Sequence, residues 1–134
     1  MNFISDDNYC VMCGKLNPVG LRLEFRLNNG ESEADVIFPK YFEGYNGITH
    51  GGIVSSVLDE ASVYAATSIG EVCVTGELKV RFKRPVKTNA PYVIKGKIIE
   101  RRGKIILTKS KIVDNDGNIY AYANAKLFSV KEDS

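Results

Sequence analysis

The sequence contains no tryptophan, one histidine and three cysteines in 134 residues. A small, odd cysteine count with no recognisable secretion signal gives no disulfide framework to expect, so the thiols are read as reduced. Charge of one sign is also scarce: 18 basic against 16 acidic residues leave +2. A duplex-binding domain shows a concentrated basic stripe, so nucleic acid is not an expected partner. No apolar run approaches the ~20 residues of a membrane span, and membrane insertion is not expected. The stretch from Met1 to Asn8 carries Asp6 and Asp7 and lacks a basic region followed by an apolar one. It does not read as a secretory signal, and the cytoplasm is the expected location. There is no Walker loop and no G-x-G-x-x-G. No serine or cysteine sits in a nucleophile elbow, and no histidine–carboxylate set has metal spacing.

What remains is an ordinary globular composition, 44% hydrophobic and 25% charged. It suits one domain over residues 1–134, large enough to bury a core without staples. Residues 1–20 read as an irregular arm closed by the turn Asn17-Pro18-Val19-Gly20. Within the arm, Cys10 and Cys13 form a C-x-x-C. A structural zinc site normally takes four ligands, and the only further cysteine and histidine are Cys73 and His50. Redox chemistry would place the pair after a strand. Packing of a turn is therefore the favoured reading, and no metal is expected.

Leu21, Leu23, Phe25 and Leu27 share one face of an alternating stretch, which predicts a half-buried strand over Leu21–Leu27. Asn28-Asn29-Gly30 supplies a hairpin turn, and Ser32–Phe38 returns. Gly51 to about Ser68 predicts the one helix. On a 100° wheel Ile53, Val54, Val57, Leu58, Ala61, Tyr64 and Ala65 fall within roughly 140° of arc, wide enough for a largely buried helix. Four strands follow: Thr75–Arg84, Tyr92–Glu100, Ile105–Val113 and Ile119–Val130. Short links predict an antiparallel meander for these four. The class is α+β, one long central helix with a curved, six-stranded antiparallel sheet around it.

Thr49-His50-Gly51-Gly52 runs straight into the helix. Glycines there admit a ligand close to the backbone, and the first helical amides are unpaired and partly positive. Such amides can hold a carbonyl oxygen that becomes an oxyanion; tight packing is the structural alternative for Gly51 and Gly52. Asp59 lies opposite the centre of the apolar arc, beside Ser55, Ser62, Val63 and Ala66. It reads either as a catalytic carboxylate or as a solvent-facing aspartate. Glu60, at the edge of the arc, is a weaker catalytic candidate that could pair with a base from the sheet. Gly51 and Asp59 are about 12 Å apart along the helix at 1.5 Å per residue. If both act on one bond, they come from different copies of the chain, and the site is composite across a two-fold interface. The lone His50 reads as structural or as a base.

His50-Gly51-Gly52-Ile53, then Leu58-Asp59-Glu60-Ala61, then Leu78-x-Val80-x-Phe82-x-x-Pro85 resemble the PaaI-like acyl-CoA thioesterase branch of the hotdog-fold superfamily. The arm Cys10-Val11-Met12-Cys13-Gly14-Lys15-Leu16-Asn17-Pro18-Val19-Gly20-Leu21 resembles one found in some members. The resemblance implies a hotdog fold and a homodimer, often a dimer of dimers, with shared sites. By position it implies Asp59 as general base or nucleophile, Gly51 as backbone donor to the thioester carbonyl, and His50 as support of that loop. It further implies Thr75 as a hydroxyl that places the attacking water. One position departs. Related enzymes carry asparagine or glutamine six residues before the histidine, whereas this chain has Gly44, with Asn46 close enough to substitute.

The expected reaction is acyl-CoA hydrolysis to free acid and CoA, which needs activated water and oxyanion stabilisation and no cofactor. Arg84, Arg101 and Arg102 are the candidates for the CoA phosphates. Tyr41, Phe42 and Tyr45 are candidates to line the acyl slot or to pack in the core. The alternative is a non-catalytic acyl-CoA-binding module of the same fold. Hydratase chemistry would use a differently spaced histidine and aspartate.

Overall fold

Asn29 and Gly30, at positive φ of 40° and 92°, turn the chain between β1 (Arg26–Asn28) and β2 (Glu31–Ile37). The structure, a computed structural model, describes residues 4–130. The ends of the predicted arm and domain (1–3 and 131–134) lie outside the described residues. After β2 come a single 3₁₀ turn (Lys40–Phe42), the helix α1 (Gly51–Thr67), β3 (Val72–Phe82), β4 (Pro91–Arg102), β5 (Ile105–Val113) and β6 (Ile119–Val130). All six strands form one antiparallel sheet in the order β1-β2-β4-β5-β6-β3.

Alternation drives the sheet. Ser32, Ala34 and Val36 of β2, and Tyr92, Ile94 and Gly96 of β4, point inward while their neighbours face out. At the centre α1 sits directly on β4. A Cβ on Gly96 would lie 2.3 Å from the Ala61 carbonyl oxygen, so only glycine admits the helix this close. The Ser32 hydroxyl donates to that same oxygen at 2.6 Å. Phe38, Leu58, Ile94 and Ile112 fill the core around this contact. A second cluster, with Ile106 and Leu127, lies at the far end of the helix. The helix touches every strand, which only a sheet curled around it allows. This is the hotdog fold.

Two expectations are corrected. The predicted first strand, Leu21–Leu27, pairs only from Arg26. Arg22 adopts φ 55°, and the Leu21 and Leu23 amides donate to Val11 and Met12 carbonyls of the arm instead of to a strand. Leucine alternation here reports packing on the core, with Leu23 buried, and not a ladder. Nor do the last four strands form a meander: only β4-β5-β6 do, and β3 pairs with β6 at the sheet edge. The link from β3 to β4 is held by bonds from Thr49 N–H to Val86 O (2.7 Å) and from Thr88 N–H to Gly47 O (3.1 Å). It walls the helix start, and no hairpin between β3 and β4 is possible. On α1, Ser62 and Ala66 are buried while Ile53 and Tyr64 lie at the rim, because the curled sheet covers more of the helix than one flat face would. No helix among the described residues is long and apolar enough to cross a membrane.

Candidate active site

The helix start is built by its cap. His50 holds extended backbone (φ −56°, ψ 134°) and its Nδ1 accepts the Gly52 N–H at 2.9 Å. In the neutral ring this leaves the proton on Nε2. The His50 N–H donates to Phe42 O at 2.9 Å, and the His50 carbonyl accepts from Ile53 and Val54. The Gly52 amide is thus committed to the cap. Among the described residues the Gly51 amide has no protein acceptor, and it opens at the positive end of a 17-residue helix.

Gly51 lines a cleft of about 440 Å³ whose walls also include Tyr45, His50, Phe82, Lys83 and Arg84. Glu43 shapes the loop on one side: it accepts from the Gly47 N–H and the Thr88 hydroxyl, both at 3.0 Å, and pairs with Lys40 at 3.1 Å. Gly44 packs against His50, and a Cβ there would meet His50 Cα at an ordinary 3.4 Å. Asn46 is exposed on the same loop and is not part of the cleft wall, and Tyr41 is exposed and packed on Phe42. Sequence reasoning missed Glu43, which had no sequence signal, since its partners come from two separate loops. Lys83 stands in the basic run Arg81-Phe82-Lys83-Arg84, which reads in the sequence either as a solvated strand end or as part of a small site for a phosphorylated ligand.

Two turns further along α1, Asp59 is half-buried, and its Oδ1 accepts the Thr75 hydroxyl at 2.5 Å. Thr75 stands at a register shift in β3, between Thr75 and Glu77. A bulge re-aims a side chain in this way. Thr75 and Asp59 are therefore brought together from different elements, and the second carboxylate oxygen has no hydrogen bond to a described residue.

Glu60 points elsewhere. Its two oxygens lie 3.5 Å from Cys10 Sγ and 3.5 Å from Cys13 Sγ. Burial holds its carboxyl above the usual range, and the Cys13 thiol, also through burial, is pushed up to about 12. The predicted basic partner from the sheet is not what it meets. Arg84 stacks over the Tyr120 ring at 5.7 Å and makes no ion pair with a described residue. Arg101 pairs with Glu71 at 2.6 Å, just past the helix C-terminus, and Arg102 pairs with Glu100. Within one copy, Arg84 and the Arg101–Arg102 pair therefore lie at opposite ends of a helix about 25 Å long.

A family model described as the thioesterase superfamily matches residues 46–121, more than half of the chain. The chain belongs to the thioesterase superfamily. The matched stretch carries Gly51, Asp59, Thr75 and Arg84 and leaves the cysteine arm outside. Within the superfamily, a Saccharolobus solfataricus protein whose name places it provisionally among the esterases is 30% identical over 80% of this chain and 71% of its own. An acyl-coenzyme A thioesterase of Xenopus laevis is 26% identical over 66% of this chain, which spans 40% of that protein. Among solved structures, a thioesterase superfamily protein has TM-score 0.85 at 23% identity; the match covers 92% of this chain and 61% of that one. A hypothetical thioesterase protein of Streptococcus pneumoniae, solved with coenzyme A, has TM-score 0.77 at 19% identity over 84% and 88% of the two chains. The PaaI protein of E. coli also has TM-score 0.77, at 18% identity over 84% and 82%. The fold is theirs.

Proposed function

We propose that this protein hydrolyses acyl-CoA thioesters to the free acid and CoA, in the manner of the PaaI-like branch. The observation that carries the proposal is a carboxylate oriented by a threonine hydroxyl on the same helix whose first amide is uncommitted. In the proposed reaction Asp59 takes a proton from water as the oxygen attacks the thioester carbon. The Gly51 amide receives the developing oxyanion, and Thr75 fixes the carboxylate and accepts from the same water. The carbon–sulfur bond then breaks, and the CoA thiolate takes up the proton that Asp59 received from water, which restores the carboxylate. His50 holds the loop by capping the helix. Gly52, Asn46 and Glu60 are assigned no chemical step.

The ~12 Å between Gly51 and Asp59 along one helix supports a site shared by two copies. So does β3, which has one partner in the sheet and a long free edge. We assign a homodimer, with dimers pairing further into a dimer of dimers. The Xenopus relative's name and the CoA-bound streptococcal structure support acyl-CoA as ligand. Arg84 and Lys83 of one copy, with Arg101 and Arg102 of another, supply cations for the CoA phosphates. A cytoplasmic protein without a catalytic cofactor fits this chemistry. One observation favours a non-catalytic binder instead: Gly44 offers no polar side chain beside His50.

Release of free thiol from a panel of acyl-CoAs separates the two readings. Asp59→Asn is expected to lower kcat by about 10²–10⁴-fold with the fold retained. Equal inertness of wild type and variant, with both still binding CoA thioesters, would leave only the binding module.

A further inference from the structure

The arm residues Cys10 to Gly14 close a tight turn. The Gly14 N–H donates to Cys10 O at 2.8 Å, and the Met12 and Cys13 amides each approach Cys10 Sγ at 3.4 Å. A Cβ on Gly14 would lie 2.4 Å from the Cys10 nitrogen, so the turn closes only around glycine. Met12 is buried in the main core and anchors the turn, while amides of Leu21 and Leu23 brace it from behind. The two amides are aimed at Cys10 Sγ and fix where that sulfur points.

Across the turn stands Glu60. One donor atom from each of Cys10, Cys13 and Glu60 lies within 4.8 Å of the others. No lysine or arginine among the described residues pairs with Glu60. Both cysteine thiols donate to the Glu60 carboxylate, one to each oxygen, so the three side chains already face one another and a bound ion would replace the thiol protons. A tetrahedral ion with bonds of about 2.3 Å to sulfur and about 2.0 Å to oxygen sets those atoms about 3.5 Å apart. Cys10 Sγ lies 3.5 Å from one Glu60 oxygen and Cys13 Sγ 3.5 Å from the other, so a small turn of the carboxylate brings one oxygen to that distance from both sulfurs.

We propose that Cys10, Cys13 and Glu60 bind one divalent cation of the zinc type, tying the arm to α1 beside Asp59. Two sulfurs and one carboxylate select zinc over magnesium or calcium. The fourth position falls to solvent. The sequence had offered only Cys73 and His50 as further ligands; Cys73 lies in the other core cluster, and His50 caps the helix. The missing partner is a glutamate 47 residues beyond Cys13, reached only when the arm folds back. Asp59 meets Thr75 on β3 whereas Glu60 meets the arm, so the ion is a staple and not a reaction centre.

The test uses the full reduced chain stripped of metal, titrated with zinc against a chromophoric chelator and separately with cobalt. One equivalent of zinc with submicromolar Kd is expected, and a Tm raised by about 5 °C or more in excess zinc. Cobalt is expected to give thiolate charge-transfer bands and tetrahedral d–d bands. Cys10→Ser/Cys13→Ser should weaken zinc binding more than about 100-fold, Glu60→Gln about 10-fold or more, and Cys73→Ser not at all. Glu60→Gln keeps the turn, so it guards against a misfolded cysteine variant. Failure of the reduced wild type to take up zinc, including oxidation of the pair to a disulfide in preference, overturns the proposal. So does uptake undiminished in the double variant, or bound cobalt without thiolate bands. None of these readouts uses thioesterase activity, so the proposed reaction stands or falls separately.

Discussion

At the scale of single residues, the Thr75 hydroxyl and the Asp59 carboxylate form the contact on which the proposed chemistry turns. A hydroxyl donated to one carboxylate oxygen fixes the plane of the group and leaves the other oxygen with its lone pairs. Thr75→Val keeps the shape and removes the donor. We expect kcat to fall about 10-fold with KM nearly unchanged, at a stability cost of about 1 kcal/mol, and Thr75→Ser to restore most of the rate. Steady-state kinetics with a thermal melt checks this; a Tm loss with unchanged kcat would make the contact purely structural. Asp59 was legible in the sequence because the helical wheel set it off the apolar arc. Thr75 was legible only through the family resemblance, since alternation through β3 does not disclose a bulge. Glu60 was not legible in its actual setting, because nothing in a wheel says where an irregular arm returns.

Helix α1 is the element that organises the site, and its first turn can be tested without breaking it. Proline is well tolerated at the first helical position, where its missing N–H was unpaired in any case. The residue before it must be extended, and His50 already is, at φ −56° and ψ 134°. A Cβ at position 51 would meet Phe82 Cζ at an ordinary 3.5 Å. Gly51→Pro therefore deletes one amide and little else. We expect kcat to drop about 10²–10³-fold, the loss typical of one oxyanion donor, with the Tm close to wild type. Gly51→Ala keeps the amide and should keep most of the activity. Thiol release and circular dichroism melts separate this from simple unfolding. The helix was read almost to the residue, Gly51 to about Ser68 against Gly51–Thr67, because glycines mark its start and an apolar arc runs its length. Strand partners were less legible. A two-residue period marks β3 as a strand but says nothing of which strand lies beside it, and the link to β4 was long enough to return elsewhere.

For the whole molecule the question is how many copies make one site. β3 runs 11 residues at the edge of the sheet, with Val74 and Phe82 exposed at 41% and 56%. A free edge of that length favours pairing with a second copy, and the same strand carries Thr75. If each site takes its carboxylate from one chain and its Gly51 amide from the other, two inactive variants complement each other. Gly51→Pro and Asp59→Asn, mixed in equal amounts and refolded together, give half heterodimers. Each heterodimer holds one site with both lesions and one with neither. Activity should then recover to about a quarter of wild type by the two-fold arithmetic of such a dimer. Mixing without refolding should recover less, by the fraction of chains that exchange. Sedimentation of the refolded mixture confirms that dimers are present, and their presence with no recovery of thiol release would place both groups in a single chain.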